Sequence, residues 1–290
     1  MLLLKSNIEK FSDHFTDDYL EPKTTRIFFK ALVVYTLIKM ILIWPVSRMV
    51  ISHHDLSLPK SYPGKVLLAP SFLANQHVDI FFIIAIIFLL LVFFMRPNYV
   101  TKLLFFWLTL NLYVINLPSG NGSDIVLFML SMWCIPMVQL PKLKKEHQII
   151  IQKAIYNLAL IFCQLQVVYI YFVSGLDKVL SETWRSGEAF AYIQHLETLY
   201  YPVLPIFFES RFWNIVFSWS TILFELLFVV LVWSNKMRLP ILLVGTIFNI
   251  FIWIVLSLPD FALIMGISFL IFLKDSDYDR IRLSISQKLL

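Results

Sequence analysis

Long, nearly uncharged apolar runs constrain this chain more than any other feature of its sequence. A helix needs about 20 apolar residues to cross the hydrocarbon core of a bilayer, and it satisfies its own backbone polar groups there. We therefore predict an all-α, multi-pass membrane protein with about eight transmembrane helices. The predicted spans lie at about 28–47, 78–95, 102–118, 124–140, 149–174, 212–233, 239–257 and 260–273.

The composition excludes an ordinary soluble domain. Hydrophobic residues make up 59% of the chain, charged residues make up 15%, and the mean hydropathy is +0.77, whereas soluble proteins are about a quarter charged. A porin-type barrel is excluded because the apolar runs are continuous rather than alternating. The net charge of +5 predicts no nucleic-acid partner, because the Lys and Arg residues form short clusters between apolar runs. The lipid bilayer is the expected partner.

The distribution of these clusters predicts an orientation. Fifteen Lys and Arg residues fall on one side of the predicted spans and five fall on the other, and positive charge favours the cytoplasmic side. Both termini are therefore predicted to be cytoplasmic. The outer face would carry residues 175–211 as a re-entrant or interfacial segment. The predicted organisation is an N-terminal segment at 1–27, a transmembrane domain at 28–273 and a short tail at 274–290.

Two other residue classes predict no site. Cys134 and Cys163 lie within apolar runs, so we expect buried thiols rather than a disulfide framework. Histidines 53, 54 and 77, together with Asp79, share one predicted outer loop. They lack the compact ligand spacing of a metal centre, so no metal site is predicted.

The stretch "YFVSGLDKVLSETWRSG", residues 171–187, contains the strongest candidate site. Gln164, Tyr171, Gly175 and Lys178 follow one another at intervals of 7, 4 and 3 residues, which places them on one helix face. One interpretation is the polar rim of a membrane helix, because lysines snorkel and aromatic residues populate interfaces. The other is a site in which Lys178 acts as a base.

Further polar residues fall inside the predicted spans, where ionisable groups are costly and are candidates for function. Lys39 and Glu225 could form a buried pair, either functional or a structural salt bridge. Asn249 and Gln139 are predicted to form interhelical hydrogen bonds, and Asp124 is predicted to be a carboxylate at a helix N-terminus. A short helix is expected to begin near Trp184, within an amphipathic element at 184–200.

The same stretch resembles a family signature. "YFVSGLDK", followed by Trp184 and Gly187, is similar to the Y-x-x-(A/S)-G-x-x-K-x(4-6)-W-x-x-G pattern of the HTTM (horizontally transferred transmembrane) family, which is related to the vitamin K-dependent gamma-carboxylase. "NGSD" before one span and Glu225 in a later span also fit the family pattern. The resemblance implies that Lys178 is a base acting on a quinone-like cofactor, with Tyr171, Trp184 and Glu225 lining or orienting the site.

Three departures argue against glutamate carboxylation. Asp177 stands where the carboxylase has a second lysine, which removes a cation that favours a neutral amine. Residues 120–124 lack the carboxylase histidine, and only about 17 residues follow the last span. Short bacterial family members that mature an exported peptide, such as the sporulation-delaying type, suggest an alternative. This chain would then be a non-catalytic membrane partner of a secreted peptide, located in a bacterial cytoplasmic membrane.

Overall fold

The computed structural model describes residues 22–53, 78–116, 122–138, 146–193 and 210–278. These residues are helical and include no strand. The helices are α1 (Pro22–His53), α2 (Val78–Phe94), α3 (Tyr99–Asn116), α4 (Gly122–Cys134), α5 (Glu146–Leu180), α6 (Glu182–Arg185), α7 (Ala189–Ile193), α8 (Arg211–Leu231), α9 (Arg238–Leu256) and α10 (Pro259–Ser268), which continues as a 3₁₀ turn, Phe269–Phe272.

Four of these helices are long and apolar enough to cross a membrane. They include the stretches Pro22–Val46, Gln148–Leu180, Arg211–Leu231 and Arg238–Leu256. The helices α2, α3, α4 and α10 are apolar but shorter. Large aliphatic side chains are exposed on both the long and the shorter helices. The exposed fraction is 62% for Ile84, 68% for Val230 and 64% for Leu243. Apolar surface on this scale is typical of lipid-facing helices, so the chain has the character of a helical membrane protein.

The chain divides into two compact units, Met1–Phe162 and Cys163–Leu290. The first contains α1 to α4 and the first half of α5. Its core includes the edge-to-face ring pair of Phe29 and Phe105, whose centroids are 5.2 Å apart. The Lys102 ammonium lies over the Phe29 ring and donates to the Met137 carbonyl at 2.6 Å. This bond satisfies a carbonyl just beyond the end of α4, where helix carbonyls lack intrahelical partners.

The second unit contains the rest of α5 and all later described elements. Aromatic rings dominate its core: Tyr171 of α5 meets Phe224 and Phe228 of α8, and Phe269 of the 3₁₀ turn stacks on both Tyr171 and Phe228. Gly245 of α9 faces this cluster, and a methyl group there would lie 2.7 Å from the Phe269 ring. The absence of a side chain at this position therefore allows α9 to pack closely against these rings.

Each of the eight predicted apolar runs overlaps a described helix, but three details differ. The fourth run was predicted to end at 140, whereas α4 ends at Cys134. The fifth run was predicted to end at 174, whereas α5 continues to Leu180, so Gly175 and Lys178 are helical. The predicted continuous element at 184–200 is broken at Gly187, which separates α6 from α7. Residues 194–200 of that element lie outside the described residues. The predicted burial of Cys134 and Cys163 is confirmed.

Candidate functional site

The last turns of α5 place a lysine against a carboxylate of α8. The Lys178 ammonium donates to both oxygens of Glu225 at 2.9 Å, and the two side chains are 16% and 6% exposed. Ser174, one turn earlier, contacts both groups: its hydroxyl accepts from Lys178 at 2.5 Å and donates to Glu225 at 3.1 Å. A buried ion pair needs such additional bonds to offset the desolvation of its charges.

Gly175 explains how the carboxylate reaches the lysine. A methyl group at Gly175 would lie 3.0 Å from the Leu226 side chain and 3.2 Å from the Glu225 Cβ atom. The absence of a side chain therefore lets α8 approach α5 at the level of the ion pair.

Aromatic rings cover one side of the lysine. The Lys178 ammonium lies 5.0 Å from the centre of the Trp184 ring, within the range of a cation–π interaction. Trp184 meets Phe190 edge to face, and Phe190 contacts Phe217 of α8 and Phe251 of α9. We call Trp184, Phe190, Phe217 and Phe251 the aromatic wall. The lysine therefore lies between a charged partner and a mainly apolar surface.

Gly187 positions this wall. Its backbone has φ +80°, a conformation that favours glycine. A methyl group here would lie 2.4 Å from the Ile215 Cγ1 atom and 2.8 Å from the Ile215 Cα atom. The turn between α6 and α7 therefore packs directly against the backbone of α8. The predicted short helix near Trp184 is present as α6, with Ser181 as its N-cap.

The other two predicted residues of the α5 face lie farther along the same packed surface. Tyr171 is 4% exposed within the ring cluster of the second unit. Gln164 donates to the Ile271 carbonyl at 2.9 Å, so it anchors the 3₁₀ turn rather than contacting the ion pair. Asp177 is exposed, and the carboxylate that meets Lys178 is Glu225.

The suggested pairing of Lys39 with Glu225 is replaced by two separate pairs. Lys39 lies in the first unit, where its ammonium is 2.7 Å from an Asp124 oxygen and donates to Ser123 at 2.9 Å. Asn116 donates to the other Asp124 oxygen at 3.2 Å. Asp124 lies in the first turn of α4, as predicted. Because both ends of this pair are nearly inaccessible, at 3% and 2% exposure, its geometry is that of a structural salt bridge.

Sequence reasoning missed some contributors to the site. Ser174 was visible only as the small residue before Gly175, and nothing in its spacing identified it as a hydrogen-bond bridge. Phe190 was assigned to an interfacial element, whereas Phe217 and Phe251 were read only as parts of apolar runs. Asn249 is buried in α9, and its interhelical hydrogen bond stays a prediction. Gln139 lies outside the described residues.

Within the described ranges, no group of three or more His, Cys, Asp or Glu side chains could hold a metal ion. Asp79 accepts a hydrogen bond from the Trp44 indole at 2.9 Å. Histidines 54 and 77 lie outside the described residues.

Comparisons of the chain with protein-family models, with curated proteins and with solved structures give no match. The interpretation of the site therefore rests on its residues and geometry.

Proposed function

We propose that this chain is an HTTM-type integral membrane protein whose Lys178 site binds, and can act on, a quinone-like or other lipid-soluble molecule. The observation that supports the proposal is that most residues of the family signature lie together around Lys178. Ser174, Gly175, Lys178, Trp184 and Gly187 all build one site. Glu225, predicted from a separate span, completes it.

The ion pair supplies a route for proton transfer. The Lys178 ammonium can pass a proton along either 2.9 Å hydrogen bond to Glu225, which leaves a neutral amine and a neutral acid. In a largely apolar setting the neutral pair avoids the cost of two desolvated charges. A neutral amine can then accept a proton from a ligand hydroxyl, as base catalysis requires. Ser174 holds both partners in position throughout.

The aromatic wall suits a flat, lipid-soluble ligand. Aromatic pairs favour offset or edge-to-face contacts, and the rings of Trp184, Phe190 and Phe217 adopt tilted or edge-to-face arrangements. A ligand ring could pack on this wall beside the lysine. Under the proposed topology, with both termini cytoplasmic and about eight spans, the site would open toward the outer face of a bacterial cytoplasmic membrane.

A second candidate function is a non-catalytic membrane partner for the maturation, export or immunity of a secreted peptide. The observation that favours it is the closed ion pair itself: both Glu225 oxygens hold the ammonium, and Asp177 stands where a second cation would help to neutralise the amine. On this proposal the pair would be structural, and the outer short helices would contact the peptide.

One experiment separates these candidates. Wild type and Lys178→Ala are purified in mild detergent, and the retained lipid-soluble molecules are extracted and identified by mass spectrometry. We expect a quinone-like molecule in the wild type and its loss in the variant. The double variant Lys39→Met/Asp124→Leu is the matched control, because it removes a buried ion pair of the first unit. Only bulk phospholipid in every sample, with a peptide co-purifying, would favour the second function.

A further inference from the structure

One face of α8 carries a row of buried polar side chains. Asn214, Ser218, Thr221 and Glu225 follow one another at intervals of 4, 3 and 4 residues, which places them on one face of the helix. Each of them is at most 5% exposed, within a helix apolar enough to cross a membrane. Polar and ionisable groups inside such helices are costly, and they mark substrate, ion or proton pathways.

The Ser218 hydroxyl differs from other hydroxyls inside the helices. Ser218 is 0% exposed, and its hydroxyl has no hydrogen-bond partner among the described residues. Thr36 of α1 and Thr246 of α9 instead donate to the carbonyl four residues earlier in their own helix, which is the usual bond of such hydroxyls. A buried hydroxyl without a partner costs about 1–3 kcal/mol, so Ser218 is suited to bond a molecule that enters the row.

The spacing of the row fits bridging water molecules. Side chains three or four residues apart on a helix have Cβ atoms about 5–6 Å apart, whereas a direct hydrogen bond spans only about 3 Å. One water molecule between two neighbours covers this distance with two bonds of ordinary length. Water held in this way also gives the Ser218 hydroxyl a partner.

Packed side chains close both flanks of the row. On one flank, Ile215 and Leu226 contact the glycines of the α6–α7 turn and of α5. On the other flank, Phe217 and Phe224 meet phenylalanine rings of α9. The row therefore lies between two helix contacts of the second unit and is shielded from lipid.

The row connects Glu225 with one end of α8. Asn214 lies in the first turn of the helix, and Arg211 at that end is exposed. Glu225 lies eleven residues after Asn214, a rise of about 16 Å at about 1.5 Å per residue. Because both Glu225 oxygens hold the Lys178 ammonium, the row leads from the exposed end of α8 to the ion pair.

We infer that this face of α8 is a proton path, in which a file of water molecules held by Asn214, Ser218 and Thr221 exchanges protons between Glu225 and the solvent at the Arg211 end. The path follows from α8 alone, whereas its use rests on the proposed function. There, the neutral Lys178 amine takes a proton from a ligand hydroxyl while Glu225 is a neutral acid. Glu225 then releases its proton into the file, which restores the carboxylate and ammonium. One proton leaves for each proton taken from the ligand.

The test follows hydrogen exchange at single thiols in the full chain, held in lipid nanodiscs. The variants are Ser218→Cys, Thr221→Cys, Ile222→Cys and Leu223→Cys, each in a background of Cys134→Ala and Cys163→Ala. Ile222 is 1% exposed on a packed flank, and Leu223 is 53% exposed. These two neighbours of Thr221 are therefore matched controls at the same depth of the helix.

The infrared S–H stretching band, which disappears as S–D forms, is followed after transfer to deuterated buffer. We expect Ser218→Cys and Thr221→Cys to lose the band within minutes, because water contacts both thiols. The two control thiols should retain it for hours, because exchange there requires opening of the packing or entry of water into lipid. Adding Ser218→Val should slow the exchange of Thr221→Cys, whereas adding Ile222→Val should not.

Three results would overturn the path. The first is retention of the S–H band in both polar-face variants for as long as in Ile222→Cys. The second is equally rapid exchange of all four thiols, which would indicate general opening of the helix packing. The third is exchange of Thr221→Cys that Ser218→Val leaves unchanged. If Ser218→Cys lowers the melting temperature, Thr221→Cys alone decides between the first result and the path.

Binding of 1,4-naphthoquinone separates failure of the path from failure of the proposed function. It is followed by quenching of tryptophan fluorescence and is corrected with empty nanodiscs. Binding that Lys178→Ala abolishes, together with slow exchange of both polar-face thiols, would overturn the path and leave the proposed function standing. Rapid exchange of these thiols, together with equal or no binding in wild type and Lys178→Ala, would overturn the proposed function and leave the path to Glu225 standing.

Discussion

At the scale of single residues, Lys178 is held by three interactions of different kinds: an ion pair with Glu225, a hydrogen bond with Ser174 and the face of Trp184. Both charges of the ion pair are largely removed from solvent. The removal of one partner from a buried pair leaves the other charge uncompensated, whereas the removal of both can be nearly neutral.

We therefore predict that Glu225→Leu alone destabilises the chain by about 3 kcal/mol, and that Lys178→Met/Glu225→Leu recovers most of this loss. The measurement is the melting temperature of the four members of this double-mutant cycle in one detergent. Ser174→Ala should cost about 1 kcal/mol, the value of a typical hydrogen bond. An additive cycle would show that the two side chains do not interact.

The Lys39–Asp124 pair should behave as a structural element only. We predict that Lys39→Met alone lowers the melting temperature more than Lys39→Met/Asp124→Leu does, because the single change leaves the Asp124 carboxylate buried without its cation. Naphthoquinone binding by the double variant should equal that of the wild type. Loss of binding in a stable double variant would place Lys39 in the functional site.

The residue scale also shows where sequence reasoning reached its limit. Intervals of 7, 4 and 3 residues predicted that one face of α5 carries Gln164, Tyr171, Gly175 and Lys178. In the structure this face packs against other helices of the second unit. Residue spacing alone could not predict the partner of Glu225, because the depth of a charge within its own span does not specify which helix lies opposite. That choice depends on small-residue contacts, such as the one at Gly175.

At the scale of elements, the turn at Gly187 links the short helices α6 and α7 to α8. Positive φ and the contact with Ile215 both require glycine at this position. This contact with α8 also fixes Trp184 over Lys178. A displaced turn would therefore loosen the aromatic wall without altering the ion pair directly.

We predict that Gly187→Ala destabilises the chain and increases protease cleavage between α6 and α7, since the added methyl group would displace the turn. Gly266→Ala is the matched control. Gly266 lies within α10 and has no atom within 4 Å of an added methyl group, so alanine there should be neutral or stabilise by up to about 1 kcal/mol. Equal behaviour of the two variants would contradict the packing described for Gly187.

Element positions were predictable from apolar runs, whereas element ends were not. The fifth run loses its apolar character near Val173, yet α5 continues for another two turns to Leu180. Ser174 and Lys178 in those turns have a tertiary partner in Glu225, whereas Asp177 is exposed. A hydropathy pattern reports burial in lipid, and it does not report burial against another helix of the same chain.

At the scale of the whole molecule, the distribution of Lys and Arg residues predicts that both termini are cytoplasmic and that α6 and α7 lie on the outer face. We test this with single cysteines at exposed Arg185, at Tyr192 and at Lys236, in a background with Cys134 and Cys163 replaced by alanine. A membrane-impermeant maleimide added to intact cells should label positions 185 and 192. Position 236 should react only after the cells are opened, and the reverse pattern would invert the proposed orientation.

The measurement that tests the central claim most directly is photoaffinity mapping of the ligand. An azido-1,4-naphthoquinone is irradiated with the chain in nanodiscs, and labelled peptides are identified by mass spectrometry with and without excess unlabelled naphthoquinone. We predict competable labels confined to the last turns of α5, to Trp184 and to α8 around Glu225. Labels spread evenly over exposed helix faces, or competable labels confined to the first unit, would contradict a ligand site at Lys178.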